Sequence, residues 1–252
     1  MTIQFASDLH LEFPQNEEFL KANPLQPKGD VLLLAGDIVP FAVMDKYDGF
    51  FNYVSDNFQA TYWIPGNHEY YYYDIAKKSG TLNEKIRSNV FLVNNEVVTH
   101  DNINIIFSSL WSKINLVNQW RVERGMSDFH VIKYKGNRFS AENYNQLHAQ
   151  SIDFLIKTLH HNNTDNSVVA THHVPTLLNY PEKYKGSALN EAFAVELFDL
   201  IESKGPDYWI YGHSHCNTPD FKIGNTHIRT NQLGYVKYNE HIGYINNKII
   251  EV

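Results

Sequence analysis

The 252-residue chain has a single cysteine, Cys216, so no disulfide can form within it, which fits a reducing compartment. It lacks any apolar run near the roughly 20 residues that span a bilayer. Its opening Met1-Thr2-Ile3-Gln4-Phe5-Ala6-Ser7-Asp8 has no basic leader and no long apolar region, which predicts no signal peptide. Basic residues are not in surplus: 21 Lys and Arg against 28 Asp and Glu leave a formal charge of −7. That balance counts against broad electrostatic binding to nucleic acid or anionic membranes, although it leaves room for a local basic patch. Repeats, low-complexity tracts and linker-like stretches are also missing, which predicts one domain over residues 1–252. With 43% hydrophobic and 19% charged residues the chain is not disordered. A soluble cytoplasmic protein without a membrane partner is expected.

The pattern that is present alternates strands and helices. Residues 2–7 and 30–36 are short apolar runs of the kind found in strands covered on both faces. Residues 42–58 place Val43, Tyr47, Phe50, Phe51 and Val54 near helical spacing and lead to a strand at 61–64. Units of this length predict a parallel sheet with right-handed crossovers. A helix is predicted over 74–87, then strands near 90–93 and 103–110. Residues 111–139 are aromatic and mixed in charge without a period, and read as an irregular insertion. Residues 140–161 predict the clearest helix, with Ser140 as N-cap, Asn143 in place of the usual acid, and Leu147, Ile152, Leu155 and Leu159 on one face. A strand at 167–171, a helix at 191–203 and a strand at 208–211 follow. From residue 226 to 252 short strands with turn signals predict an antiparallel, meander-like end.

Five segments carry metal-capable side chains, nearly all directly after a predicted strand: Asp8-Leu9-His10, Gly36-Asp37, Gly66-Asn67-His68-Glu69, His172-His173 and Gly212-His213-Ser214-His215. Loops after the carboxyl ends of parallel strands converge on one crevice, so groups far apart in sequence can meet there. Asp8 and His10, like His213 and His215, are two residues apart, which points both side chains the same way in an extended segment. Taken alone, Asp8 reads equally as a turn cap and His10 as a surface histidine. Asp37 ends the run Val31-Leu32-Leu33-Leu34-Ala35-Gly36, where a charged carboxylate needs a partner. A helix cap would supply one, and a pair of cations would do so more fully. Asn67 suits a left-handed turn, and its carbonyl oxygen can also coordinate a metal. His172 comes first after its strand and is favoured as a ligand over His173.

In this order the segments resemble the calcineurin-like metallophosphoesterase superfamily, whose pattern is D-x-H, G-D, G-N-H-[DE], a histidine, then G-H-x-H. The resemblance runs from residue 8 to residue 215. It implies two packed mixed sheets flanked by helices, an α/β/β/α sandwich with metals at the strands' carboxyl ends. It also implies that Asp8, His10 and His215 hold one metal, that Asn67, His172 and His213 hold a second, that Asp37 bridges them and that His68 handles a proton. Mixed histidine, carboxylate and amide ligation suits Mn or Fe, and is compatible with Zn, Co or Ni.

Such a pair clamps phosphoryl oxygens and provides a bridging hydroxide as nucleophile. The resemblance therefore implies a phosphodiesterase or phosphomonoesterase acting on a small or nucleotide-like substrate. A nuclease acting on single-stranded nucleic acid and a non-catalytic scaffold are the other readings. Gly36-Asp37-Ile38-Val39-Pro40-Phe41 lacks the Asp-Arg pair of the phosphoprotein phosphatase branch, and Pro40 stands where purple acid phosphatases have a tyrosine ligand. Tyr70 to Tyr73, Trp111, Trp120, Arg121 and Arg124 are the residues that could rim the crevice, or else simply pack a loop.

Overall fold

Strands that are apolar on both faces must be covered on both sides. The runs Val31–Ala35 and Ala60–Ile64 are buried at every position. The computed structural model describes residues 1–161 and 166–252. In chain order, β1 (Thr2–Ala6), α1 (Pro14–Ala22), β2 (Val31–Ala35), α2 (Asp48–Asn57) and β3 (Ala60–Ile64) form the first crossovers. The pairs β4 (Leu82–Arg87) with β5 (Val90–Asn94) and β6 (Glu96–His100) with β7 (Ile103–Ser108) are antiparallel hairpins. Residues 111–139 contain α3 (Gln119–Gly125), α4 (Asp128–Val131) and the small ribbon of β8 (Lys133–Tyr134) and β9 (Asn137–Arg138). Next come α5 (Ala141–His161), β10 (Ser167–Thr171), α6 (Phe198–Lys204), β11 (Tyr208–Tyr211), β12 (Phe221–Ile223), β13 (Thr226–Thr230) and β14 (Ile249–Glu251).

Two mixed six-stranded sheets result, ordered β14-β1-β2-β3-β5-β4 and β12-β13-β11-β10-β7-β6, each parallel at its centre and antiparallel at its edges. Ile3, Phe5, Leu33 and Ile64 of one sheet pack on Ile105, Phe107, Val168 and Ile210 of the other. The outer face of the first sheet takes Phe51 and Val54 of α2, and that of the second takes Leu155 and Leu159 of α5. The expected sandwich of sheets and helices is therefore present. Among the described residues no helix is long and apolar enough to cross a membrane.

Helix α5 begins as its sequence predicts. The Asn143 N–H and the Ser140 hydroxyl reach each other's side chains (Asn143 N to Ser140 Oγ 3.3 Å, Ser140 Oγ to Asn143 Oδ1 2.9 Å), a reciprocal cap. Four expectations need correction. The segment 74–87 is not a helix: a short 3-10 turn at Ile75–Lys77 gives way at Gly80 (φ +79°) to β4, because pairing with β5 outweighs helical propensity. Residues 42–58 are a 3-10 segment followed by α2 rather than one helix. The helix expected at 191–203 covers only Phe198–Lys204, since Ala194 pairs with Val174 and the Glu196 carboxylate accepts the N–H groups of Leu177 and Phe198. Finally, the end of the chain is no meander: β13 lies parallel to β11, and β14 crosses to the other sheet to pair with β1. The insertion at 111–139 has its own core, with Trp111, Phe129 and Phe139 packed on Tyr144 of α5.

Candidate metal centre

Asp8, Asp37, Asn67, His172 and His213 follow β1, β2, β3, β10 and β11, and their loops meet at one place. All eight residues singled out in the sequence lie there, and seven are almost fully buried. The eighth, His215, has an 11% exposed side chain. The route differs from the extended one expected. Asp8 (φ 56°), His10 (48°), Asp37 (56°), His213 (73°) and His215 (47°) are all left-handed, a conformation that costs a non-glycine residue on the order of 1 kcal/mol. A side chain at Gly66 would put its Cβ 2.2 Å from Asp37 Oδ1 and 2.6 Å from His172 Nε2, so only glycine lets these loops close.

Asp8, His10, Asp37 and His215 place one ligand atom each within 4.8 Å of the others, and so do Asp37, His172 and His213. The hydrogen-bond network assigns the tautomers. His10 donates from Nδ1 to Glu12 (3.3 Å) and His215 from Nδ1 to Glu240 (2.7 Å), which leaves their Nε2 atoms facing each other at 3.0 Å. His172 donates from Nδ1 to the Ala35 carbonyl (2.9 Å) and His213 from Nε2 to the Ala192 carbonyl (3.0 Å). Their remaining nitrogens also face each other at 3.0 Å, with Asn67 Oδ1 3.2 Å from His172 Nε2. Two lone pairs held that close require a positive charge between them, a proton or a metal cation. Asp37 lies between the two pairs, with Oδ2 3.8 Å from His10 and Oδ1 3.4 Å from His172. This donor set fits two cations.

The charges agree. Burial disfavours ionised Asp37, yet His172 and then His68 hold its carboxyl well below the usual range. Burial likewise disfavours charged His172 and His215, but Asp37 raises the first to about 9 and Asp8 with Glu240 raises the second to about 10. In the metal-free chain these two imidazoles take up protons to balance the acids. His173 has no ring nitrogen free: Ser109 O and Tyr144 OH occupy both (3.0 Å each), and it is as buried as His172. Burial, then His172, pushes it down to about 3.

Four carboxylates around the cluster were given no role in the sequence. Glu12 accepts from both His10 and His68 (3.2 Å from His68 Nδ1), and despite its burial these bonds lower its pKa to about 2. Its place two residues after His10, beside the Asp8-Leu9-His10 segment, is the sequence signal that could have revealed it. Glu69 accepts four N–H groups, from Asp37, Ile38, Gly66 and the Trp63 indole (2.6–3.0 Å), and so ties the loops after β2 and β3 together. Asp128, from the insertion, accepts from Asn67 Nδ2 and Tyr71 OH (both 2.9 Å) and so turns the Asn67 oxygen toward His172. Glu240 holds His215 and the Tyr235 N–H. His68 stacks on Tyr71 (centroids 3.9 Å), and its Nε2 lies 3.2 Å from Tyr235 OH.

A cavity of about 340 Å³ opens on the cluster, touching Asp37, Asn67, His68, His213 and His215. Of the aromatic and basic residues expected at its rim only Tyr71 lines it. Tyr70 and Trp111 are buried in the insertion's core, Tyr72 and Trp120 face solvent, and neither Arg121 nor Arg124 lines the cavity.

Two packed mixed sheets with a buried histidine and carboxylate cluster beyond the strand ends make up the metallophosphoesterase fold. The sequence profile described as calcineurin-like phosphoesterase matches residues 1–217, and the chain belongs to that family. An uncharacterized protein of Acanthamoeba polyphaga mimivirus is 32% identical over 259 residues, covering 92% of this chain and 91% of that protein. Among solved structures, the phosphopantetheinyl hydrolase of Mycobacterium tuberculosis matches with a TM-score of 0.70 at 14% identity, over 99% of this chain and 95% of that one. A dimetal phosphatase from Danio rerio matches at 0.50 and 13% identity, over 92% and 87%. These structural likenesses are likenesses of fold.

Proposed function

We propose that the chain hydrolyses a small phosphate ester, monoester or diester, with the help of two cations held in this cluster. Asp8, His10 and His215 would hold one, Asn67, His172 and His213 the other, and Asp37 both. The observation that carries this reading is the pair of 3.0 Å nitrogen–nitrogen contacts, each between imidazoles whose second nitrogen already donates to an acceptor. Mn or Fe suits the donors best, with Zn, Co and Ni also compatible. When bound, the cations supply positive charge for the phosphoryl oxygens and bring the pKa of a water toward neutral.

The chain's own groups account for the proton. Glu12 engages His68 Nδ1, and Nε2 remains beside the cavity and Tyr235 OH. From there a protonated His68 can neutralise the leaving alkoxide. Stacking on Tyr71 holds the ring in that plane. With Asp8 and Asp37, Glu12 and Glu240 would offset the charge of two divalent ions, so a phosphate would be drawn by the cations at close range rather than by net charge. Protein loaded with Mn is expected to cleave bis(4-nitrophenyl) phosphate or 4-nitrophenyl phosphate and to lose that activity to a chelator. Full activity in chelator, or no bound metal after Mn loading, would refute the proposal.

A further inference from the structure

Resting on the phosphoesterase reading above, we infer that the substrate carries a single phosphoryl group on an aromatic or otherwise apolar alcohol, seated against Tyr184, Leu189 and Met126. The cavity walls beyond the cluster come mainly from residues 180–193 and from the end of α3. Tyr180 and Tyr184 stand with ring centroids 6.0 Å apart, and Phe193 lies against His213 (4.6 Å, 25° between planes). This wall is held in place. Glu191 accepts from the Asn115 N–H and from the Asn115 and Asn118 side-chain amides (2.7–2.8 Å), which clamps residues 188–192 to the start of α3. At the other end of α3, Leu189 lies so close over Gly125 that a Cβ there would meet Leu189 Cδ2 at 2.7 Å. The apolar surface is therefore formed before a ligand arrives, and its size suits a ring system.

The charges around the cavity narrow the choice further. Among the described residues that line it there is no lysine or arginine, and the one acid outside the cluster, Glu240, is already engaged by His215 and the Tyr235 N–H. A second phosphate on the substrate would find no lysine or arginine among the wall residues, and Lys183 beside Tyr184 is shared with Glu240. A nucleic-acid strand needs a basic track for its backbone. The basic groups that flank the walls in the chain are turned onto rings: Arg124 sits on Trp120 and Lys183 on Tyr184 (both 4.6 Å), where Lys183 also faces the charge of Glu240. A neutral, flat or greasy alcohol satisfies these walls.

Phosphonates test this without depending on which ester is cleaved. Calorimetric binding of phenylphosphonate and methylphosphonate to the Mn-loaded chain is expected to favour phenylphosphonate by about tenfold or more, from burial of the ring. Fructose 1,6-bisphosphate should bind more weakly than phenylphosphonate. Tyr184→Asn and Leu189→Asn should each narrow the phenyl-to-methyl ratio by roughly threefold or more. Equal binding of the two phosphonates, or tighter binding of the bisphosphate, overturns the inference. A wild-type preference that neither variant narrows overturns the assignment of this wall. If neither phosphonate binds while bis(4-nitrophenyl) phosphate is still cleaved, this inference alone fails. If binding and metal-dependent cleavage are both missing, the phosphoesterase reading fails with it.

Discussion

The two histidine pairs differ in what stands behind them. His10 and His215 lean on side-chain carboxylates, Glu12 and Glu240, which are 15% and 20% exposed, and Glu240 also lines the cavity. His172 and His213 lean on main-chain carbonyls, Ala35 at the end of β2 in the first sheet and Ala192 between β10 and β11 of the second. A carboxylate behind an imidazole raises its basicity and adds charge, whereas a carbonyl fixes orientation and adds none. One half of the cluster is thus tunable by substitution and the other is built into the backbone. The two halves share only Asp37.

That contrast can be broken or sharpened. The largest effect is expected from Asp37→Asn, which touches both pairs: turnover should fall about 10³-fold and bound metal below two per chain. A variant with full rate and two metals would remove Asp37 as the shared group. Next is pH. Each cation held there would have to displace a proton where His172 and His215 have raised pKa values, so Mn affinity should fall about tenfold per unit as pH drops below 9, with proton release on binding visible in buffers of different ionisation enthalpy. The sign for stability is opposite. Raised histidine values support the metal-free fold fully below about 6.5 and lose that support as pH rises through 9 to 10. The metal-free melting temperature should therefore sag in alkali while the loaded protein's holds.

Smaller effects should separate the halves. Glu240→Gln should weaken one metal equivalent by roughly tenfold to a hundredfold and leave the other intact. Asp128→Ala should weaken the opposite equivalent, by about tenfold, because it frees the Asn67 amide to turn; Asp128→Asn, which keeps an acceptor, should cost less. If Glu240 and Asp128 variants weakened the same equivalent in titrations followed by calorimetry, the division into two pairs would be wrong.

The parallel core and the meeting place of the loops were legible because both depend on local signals. Val31 to Ala35 can hardly be anything but a covered strand, and Ser140 with Asn143 marks a helix start. Leu82 to Arg87 was misread because its stretch of helix formers is countered only by Gly80 and by a partner strand beyond the turn. Glu240 and Asp128 gave no sign because their partners, His215 and Asn67, lie 25 and 61 residues away and meet them only in the folded chain. The left-handed turns at Asp8 and His10 were equally hidden: no motif letter distinguishes an extended ligand pair from a bent one.

Those turns have a consequence for engineering. At His10, His213 and His215 a glycine would relax the main chain, and so would an asparagine in part, yet either would remove an imidazole. At His10 and His215 such a change would trade about 1 kcal/mol of turn strain for buried carboxylates that have lost their imidazole, so the metal-free melting temperature should fall although the main chain relaxes, and the bent turns are kept by the acids around them.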